Sequence, residues 1–162
     1  MARQRLAVAL LATSFLTGAA AAATLDVAMD NSPAGLDPHL VTAFNSVMIV
    51  QDNVYQGLTG TTADLAVVPN LAESWTISED GLVYTFKLRS GVTFHDGTTF
   101  DAEDVAASIR RVQSPEIASP MASRISPIIG VAVLDPLTIE FTLSAPFAPL
   151  LASLSYIAMV PA

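Results

Sequence analysis

The sequence predicts an α/β fold, in which a mixed sheet built from hairpins carries flanking helices. Two pairs of apolar-alternating runs predict the hairpins, each pair joined by a turn: 75–77 and 82–88 around Ser78-Glu79-Asp80-Gly81, and 131–133 and 137–143 around Asp135-Pro136. A helical segment between the two hairpins supplies the α component. Elements of both types in one chain favour a sheet covered by helices.

That helix is predicted from Asp101 to about Val112. Asp101 can cap the first turn through its side chain, and the acidic residues Glu103 and Asp104 follow it. Arg110 and Arg111 stand in the last turn, where positive charge suits the helix dipole. Capping and dipole complementarity therefore explain the acidic group better than a cation site does.

The N-terminus has the three parts of a secretory signal. Arg3 and Arg5 precede the apolar run Leu6–Leu16, and the small-residue stretch Gly18–Ala23 offers a peptidase site before Thr24. We expect residues 1–23 to be a signal peptide and residues 24–162 to be the mature domain. Its removal leaves five Lys and Arg against fifteen Asp and Glu, a net charge of -10.

Composition excludes several classes of function. The full 162-residue chain carries a net charge of -8, which does not suit a protein that binds nucleic acid through phosphate contacts. It has no Cys, so disulfides, thiol nucleophiles and thiolate metal sites are excluded. No later apolar segment is long enough to span a bilayer. These features fit a free periplasmic protein that neither spans the membrane nor binds nucleic acid.

The remaining predicted elements are shorter, and each follows from local periodicity or turn residues. They are a first strand at 25–30, an amphipathic helix at 44–58 docked by one face, strand character at Val92 and Phe94 before a turn at Asp96-Gly97, an irregular loop at 114–127, a helix at 146–154 and a buried strand at 156–160. The apolar end of the chain predicts an incomplete domain.

A long ordered motif crosses the first hairpin and the following helix. It runs Leu71-Ala72-Glu73-Ser74-Trp75, then Ser78-x-Asp80-Gly81-Leu82-x-Tyr84-Thr85-Phe86-x-Leu88-Arg89-x-Gly91-Val92-x-Phe94-His95-Asp96-Gly97, then Phe100-x-Ala102-x-Asp104-Val105 and Arg110. The supporting motifs Leu36-Asp37-Pro38-His39 and Asp135-Pro136-x-Thr138 follow the same order. The pattern resembles the family 5 extracellular solute-binding proteins of ABC importers, which bind oligopeptides, dipeptides, glutathione or nickel chelates.

The resemblance implies a periplasmic binding protein-like fold whose two lobes close on a ligand. Family members are much longer, so we expect this chain to be the N-terminal portion of such a domain and not ligand-competent alone. No cofactor is implied. The expected partners are a peptide-like or other small solute and an ABC permease in the inner membrane.

The resemblance also suggests three stretches that face the ligand cleft, and these supply the candidate ligand-binding residues. The first stretch contains Val41, Thr42, Phe44 and Asn45. The Pro-rich loop, 114–127, contains Met121 and Arg124, and the third stretch contains Ser155 and Tyr156. Arg124 is the only cation of its loop and can meet a ligand carboxylate bidentately. Nickel-chelate binders of the family tend to carry an Arg near 154–156, and its absence mildly favours a peptide.

Two alternatives remain open. His95 beside Asp96 invites a secreted metal-dependent hydrolase or a metal-binding protein, although Asp96-Gly97 stands where a hairpin must turn. A two-His metal site with His39 is unsupported by spacing. The same lobes can also serve a ligand sensor without transport. Trp75, Tyr84 and Phe86 are predicted to pack across strands, and Glu79 with Asp80 to form a solvated hairpin tip.

Overall fold

A four-stranded antiparallel sheet organises the part of the chain that the computed structural model describes, residues 31–51 and 53–162. The predicted signal peptide (1–23) and first strand (25–30) lie outside these residues. Neighbouring strands follow the order β3 (Ala72–Ile77), β4 (Val83–Leu88), β6 (Thr138–Leu143) and β5 (Ile128–Asp135). Each pair is antiparallel, so the sheet consists of two hairpins joined between β4 and β6.

The first predicted hairpin is confirmed. Gly81 takes φ +70°, a left-handed conformation that suits glycine, and Asp80 Oδ1 accepts the Leu82 amide at 3.1 Å. Trp75 faces Phe86 across the two strands with ring centroids 6.3 Å apart, and Tyr84 lies 6.4 Å from the same Phe86. The predicted packing across strands is therefore seen for Trp75 and Phe86, while Tyr84 contacts Phe86 along the same strand.

The second hairpin and the helix are also confirmed. Asp135 Oδ1 accepts the Leu137 amide at 2.9 Å in the turn between β5 and β6. Helix α2 (Ala102–Gln113) begins with a complete capping box: Asp101 accepts the Glu103 amide, and Asp104 Oδ2 accepts the Asp101 amide at 2.9 Å. Sequence-local chemistry thus determines both elements.

The core lies between one face of the sheet and α2. Phe86 and Phe141 pack 5.2 Å apart at the centre of the sheet face, and Val105 and Ile109 of α2 belong to the same fully buried cluster. Each fully buried apolar side chain stabilises the fold by about 1.5–3 kcal/mol relative to exposure. This packing gives a fixed platform to the loops around it.

A small hairpin and a short helix extend the platform. Strands β1 (Thr59–Thr61) and β2 (Val67–Pro69), for which the sequence showed no signal, pair with each other, and Thr59 Oγ1 donates to Leu151 O of α3 (Leu150–Leu154) at 2.6 Å. Helix α3 occupies the end of the predicted helical segment 146–154. The preceding residues are not helical: 146 and 147 have no regular structure, and 148 and 149 form a turn.

The predicted helix at 44–58 is wrong in length and in orientation. Helix α1 spans only Phe44–Val50, and Gln51 is extended. The carbonyls of residues 56, 57 and 58 accept hydrogen bonds from the amides of Met159, Leu71 and Ala72, so they are committed to distant partners. Phe44 (73% exposed) and Met48 (53%) face outward, whereas Ser46 and Val50 are buried. The predicted apolar face is therefore not the docked one.

Two further strand predictions fail. Residues 156–160 contain no strand, because the Val160 amide bonds to Ser108 Oγ (2.9 Å) and the Met159 amide to Gln56 O rather than to a strand ladder. Strand character at Val92 and Phe94 reduces to a single bridge between Thr93 and Thr99. The loop 114–127 is irregular as predicted, with one 3-10 turn at Ala122–Arg124.

Among the described residues, no helix combines the length and the apolar character needed to cross a membrane.

The capping box leads to a stability prediction. Asp101→Ala removes the acceptor of the Glu103 amide, so we expect the free energy of unfolding to fall by about 1 kcal/mol. Asp101→Asn, which retains a capping oxygen, serves as the matched control and should lose much less. Urea unfolding followed by far-UV circular dichroism measures both, and an Ala variant as stable as the wild type would contradict the capping role.

Gly57 gives a second stability prediction. A Cβ at this position would lie 2.5 Å from Leu154 O and 2.9 Å from Ser155 O, whereas one at Gly60 would come no nearer than 3.5 Å to any of its neighbours, the nearest being a Val68 methyl. We expect Gly57→Ala to destabilise the protein by about 1–3 kcal/mol through overpacking, and Gly60→Ala to remain close to the wild type. Thermal melting compares the two variants, and equal melting temperatures would show that the backbone near Gly57 can yield.

Candidate functional site

Side-chain contacts link the three predicted stretches, or residues next to them, in pairs. The loop before α1 meets the Pro-rich loop where Ser119 Oγ donates to His39 O. The end of α1 meets the third stretch where Gln51 Nε2 donates to Ser155 O at 3.1 Å. The Pro-rich loop meets the third stretch through Arg124, whose guanidinium lies 4.5 Å from the Tyr156 ring centroid. Stretches that are far apart in sequence are thus joined pairwise.

The exposed predicted residues are Thr42, Phe44, Arg124 and Tyr156, and Tyr156 retains 41% of its accessible surface. Arg124 is held in place by a cation–π contact, which is worth about 0.5–1 kcal/mol at an exposed site. The guanidinium carries five N–H donors and Arg124 is exposed, so this contact restrains a positive fork at the surface.

The other predicted residues have mainly internal contacts. Met121 packs in the core cluster, and the buried Ser155 hydroxyl donates to Ala152 O at 2.7 Å. Asn45 Nδ2 donates to Asn31 O at 2.7 Å. Val41 is half-buried and lines, with Thr42, a cavity of about 440 Å³ formed by residues 34–37 and 40–43. Their part in ligand binding stays a prediction.

A partly buried polar cluster that the sequence did not predict adjoins these stretches, with the Asp37 and Arg111 side chains 35% and 31% exposed. Arg111 donates two hydrogen bonds to the Asp37 carboxylate, at 3.1 and 2.6 Å, and a third contact of 2.8 Å joins it to His39 Nδ1. His39 is fully buried, and its Nε2 lies 2.8 Å from Ala158 O. Because a carbonyl only accepts, Nε2 carries the proton and Nδ1 accepts from Arg111. The cluster joins the loop before α1, helix α2 and the segment that follows α3.

The contacts in this cluster shift the pKa values of Asp37 and His39. The hydrogen bonds from Arg111 hold the pKa of Asp37 below its usual range, although partial burial opposes the shift. Burial is the largest cause that lowers the pKa of His39; the Arg111 charge acts in the same direction, while the hydrogen bond to Ala158 and the Asp37 charge oppose it. The cluster therefore contains an ionised Asp–Arg pair and a neutral imidazole near pH 7.

The sequence indicated this cluster only in part. Leu36-Asp37-Pro38-His39 appeared among the supporting motifs, and Arg111 was assigned to the helix dipole. The contact between Arg111 and this motif was not predicted, because it joins residues more than seventy positions apart and leaves no local pattern in the sequence. Both nitrogens of His39 are occupied, which leaves the suggested two-His metal site without one of its ligands.

The alternative site at His95 and Asp96 has the geometry of a turn. Asp96 Oδ1 accepts from the Thr98 amide (2.9 Å) and hydroxyl (2.7 Å), and Gly97 takes φ +89°. The hydroxyl bond is the main reason why the pKa of Asp96 lies below its usual value, so its carboxylate is a weak base. Within residues 31–51 and 53–162, no group of three His, Asp or Glu side chains is arranged to hold a metal ion.

His95 and Asp96 border a second cavity of about 270 Å³, whose walls are mainly apolar. These walls include Tyr55, Leu71, Phe94, Phe100 and Met159. Phe94 packs edge-on against Phe100 with centroids 5.9 Å apart. The cavity thus borders the turn, whose Asp96 carboxylate already accepts two hydrogen bonds from Thr98.

Comparison with known proteins places this geometry in a family. Residues 66–162 match the family model described as bacterial extracellular solute-binding proteins, family 5 Middle. The glutathione-binding protein GsiB of Salmonella paratyphi A is 38% identical over 130 residues, covering 80% of this chain and 25% of that protein. The nickel-binding periplasmic protein of Escherichia coli K12 is 35% identical over 153 residues, covering 94% and 29%.

A solved structure agrees with these relatives. NikZ from Campylobacter jejuni, crystallised with Ni(L-His), superposes with a TM-score of 0.74 at 36% identity, over 81% of this chain and 26% of that one. The chain spans about a quarter of the length of the curated relatives that it matches. The periplasmic binding protein fold expected from the motif is confirmed for this part. The chain belongs to the bacterial extracellular solute-binding proteins of family 5.

Proposed function

We propose that the chain forms the N-terminal portion of a periplasmic receptor that captures a small carboxylate-bearing solute and delivers it to an ABC permease in the inner membrane. Membership of the solute-binding family supports the binding role, and the names of the relatives support the compartment. Capture requires no chemical step. The solute of such a receptor binds the open and closed states with different affinities, and this difference drives closure.

The observation that carries the proposal is the Arg124–Tyr156 pair. Arg124 comes from the Pro-rich loop and Tyr156 from the third stretch, so their contact at 4.5 Å presents a guanidinium where these two stretches meet. Arg is suited to bidentate recognition of a planar carboxylate. An oriented and exposed guanidinium at such a junction is the polar anchor expected of a site with few charged groups.

The Arg124–Tyr156 pair also widens the class of ligands that we expect. Nickel-chelate binders of the family tend to carry an Arg near 154–156, and the absence of one there favoured a peptide ligand. Arg124 supplies a guanidinium to that stretch from another loop. The relatives named above include a glutathione-binding protein and a protein crystallised with Ni(L-His). The ligand class that we propose is therefore the free carboxylate shared by small peptides and by amino-acid chelates of metals.

Ligand titration tests this proposal. The receptor expressed from its own gene, without its leader, is titrated by calorimetry with dialanine, trialanine, glutathione, and Ni²⁺ with and without L-histidine. We expect at least one carboxylate-bearing probe to bind, and Arg124→Gln to weaken that binding about 10–100-fold, since a charge-assisted bidentate contact is worth about 1.5–3 kcal/mol.

Arg89→Gln is the matched control, because Arg89 is also exposed but donates to Asn70 O in another part of the chain. Its affinity should equal that of the wild type. Binding that is unaffected by Arg124→Gln would remove the proposed anchor. Silence across the panel, with stabilisation by metal alone, would instead favour the metal-binding alternative.

Export gives a separate prediction. If residues 1–23 are a cleavable signal, the protein recovered from the periplasm of a diderm host begins at Thr24, as read by intact mass and N-terminal sequencing. Replacing Leu10 and Leu11 with Asp interrupts the apolar run, and we expect this variant to remain in the cytoplasm with its N-terminus uncleaved. Recovery of that variant from the periplasm at the wild-type level would contradict the signal assignment.

A further inference from the structure

Each of the three candidate binding stretches is tied to one buried residue, His39. The first stretch begins two residues after it, at Val41. The third is held by the hydrogen bond between His39 Nε2 and Ala158 O, two residues after Tyr156. The Pro-rich loop is held by Ser119, whose hydroxyl donates to His39 O and accepts the Met121 amide at 3.1 Å. His39 is therefore the common point of the site.

The contact between His39 and Arg111 fixes the protonation state of the imidazole. Arg111 donates to Nδ1 at 2.8 Å while the same guanidinium forms two hydrogen bonds to Asp37. The Asp37 carboxylate also accepts the His39 amide at 3.0 Å. A proton on Nδ1 would point at a guanidinium that has no lone pair to receive it. Protonation therefore breaks this contact and places two cations side by side.

The other groups packed around His39 offset that charge only in part. Ala158 and Ser119 present only a carbonyl and a hydroxyl. Asp37 is the one carboxylate of the described chain in contact with the cluster, and Arg111 already neutralises it. Tyr55 acts electrostatically on Arg111 and lines a cavity with Arg111 and Asp37, which gives water a route to the edge of the cluster.

We propose that His39 is a positioning residue that holds the three candidate binding stretches in one arrangement and releases them together when its imidazole is protonated. This inference rests on the proposed function, since the stretches concern a solute only if they form its site. The direction follows from linkage. Burial lowers the pKa of His39, so the arrangement that His39 holds together is favoured above the unperturbed value of about 6.5. It is lost as the pH falls from there through the lowered pKa.

Hydrogen–deuterium exchange tests the release without needing a ligand. The receptor expressed from its own gene is labelled at pH 7.5 and at pH 5.0, and the rates are corrected for intrinsic exchange. We expect amides of residues 37–45, 119–125 and 155–160 to exchange about tenfold faster at pH 5.0 than at pH 7.5, because protonation of His39 raises the population of the released state. Strands β4 and β6 should keep their protection and serve as the internal reference.

His39→Gln is the conservative variant. Its amide can donate to Ala158 O and accept from Arg111 but cannot titrate, so the three segments should be protected at pH 7.5 and should show no joint acid response. Acid loosening that is equal in this variant, or absent in the wild type, would overturn the proposal. Loosening of one segment alone would also overturn it, because the three are predicted to respond as a unit.

Arg111→Gln is a second variant that keeps the proposal testable if His39→Gln does not fold. It removes the cation that opposes protonation, so the ratio of exchange rates between pH 5.0 and pH 7.5 should be smaller than in the wild type. An unchanged or larger ratio would contradict the mechanism. A parallel glutathione titration at both pH values bears on the proposed function only, so the exchange result stands whether or not glutathione binds.

Discussion

Helix α2 determines the arrangement of the described chain because it is packed on two sides. Its apolar residues, among them Val105, Ile109 and Val112, lie against the sheet in the buried core. Its polar residues Asp104, Ser108 and Arg111 follow one another at i, i+4 and i+7 and so share a second stripe. Asp104 and Ser108 bind the amides of Ala162 and Val160, and Arg111 binds Asp37 and His39. The capping box at Asp101 and Asp104 thus determines the register of both stripes.

Local chemistry was sufficient for the parts of the fold whose partners are close in sequence. The turns at Asp80-Gly81 and Asp135-Pro136 predicted the two hairpins, because an Asx side chain bonds to the backbone two residues later. Asp101 and its acidic neighbours predicted the start of α2 for a similar reason. The motif around Trp75 and Phe86 indicated the family and also the cross-strand packing, which the comparisons and the ring contacts confirm.

Predictions failed where backbone groups bond to residues far along the chain. The apolar spacing of 44–58 is helical, yet the carbonyls of 56–58 serve Met159, Leu71 and Ala72, and the helix ends at Val50. The run 156–160 is strand-like, yet a side chain of α2 takes the place of a neighbouring strand. A histidine in a loop gives no sign that it is buried, so the importance of His39 emerged only from its four contacts. Of the candidate site, sequence and resemblance predicted the stretches but not the group that joins them.

The contacts between the candidate stretches are hydrogen bonds and one cation–π contact, although Met121 of the Pro-rich loop also packs in the apolar core. A ligand can exchange these polar contacts more easily than it can disturb the apolar core. A typical hydrogen bond contributes about 0.5–1.5 kcal/mol net, and an exposed cation–π contact about 0.5–1 kcal/mol. A ligand carboxylate that offers Arg124 a charge-assisted bond can therefore compete with Tyr156 without disturbing Phe86 or Phe141. The loops can then respond to a solute as one unit, because they share His39, while the sheet and α2 keep their packing.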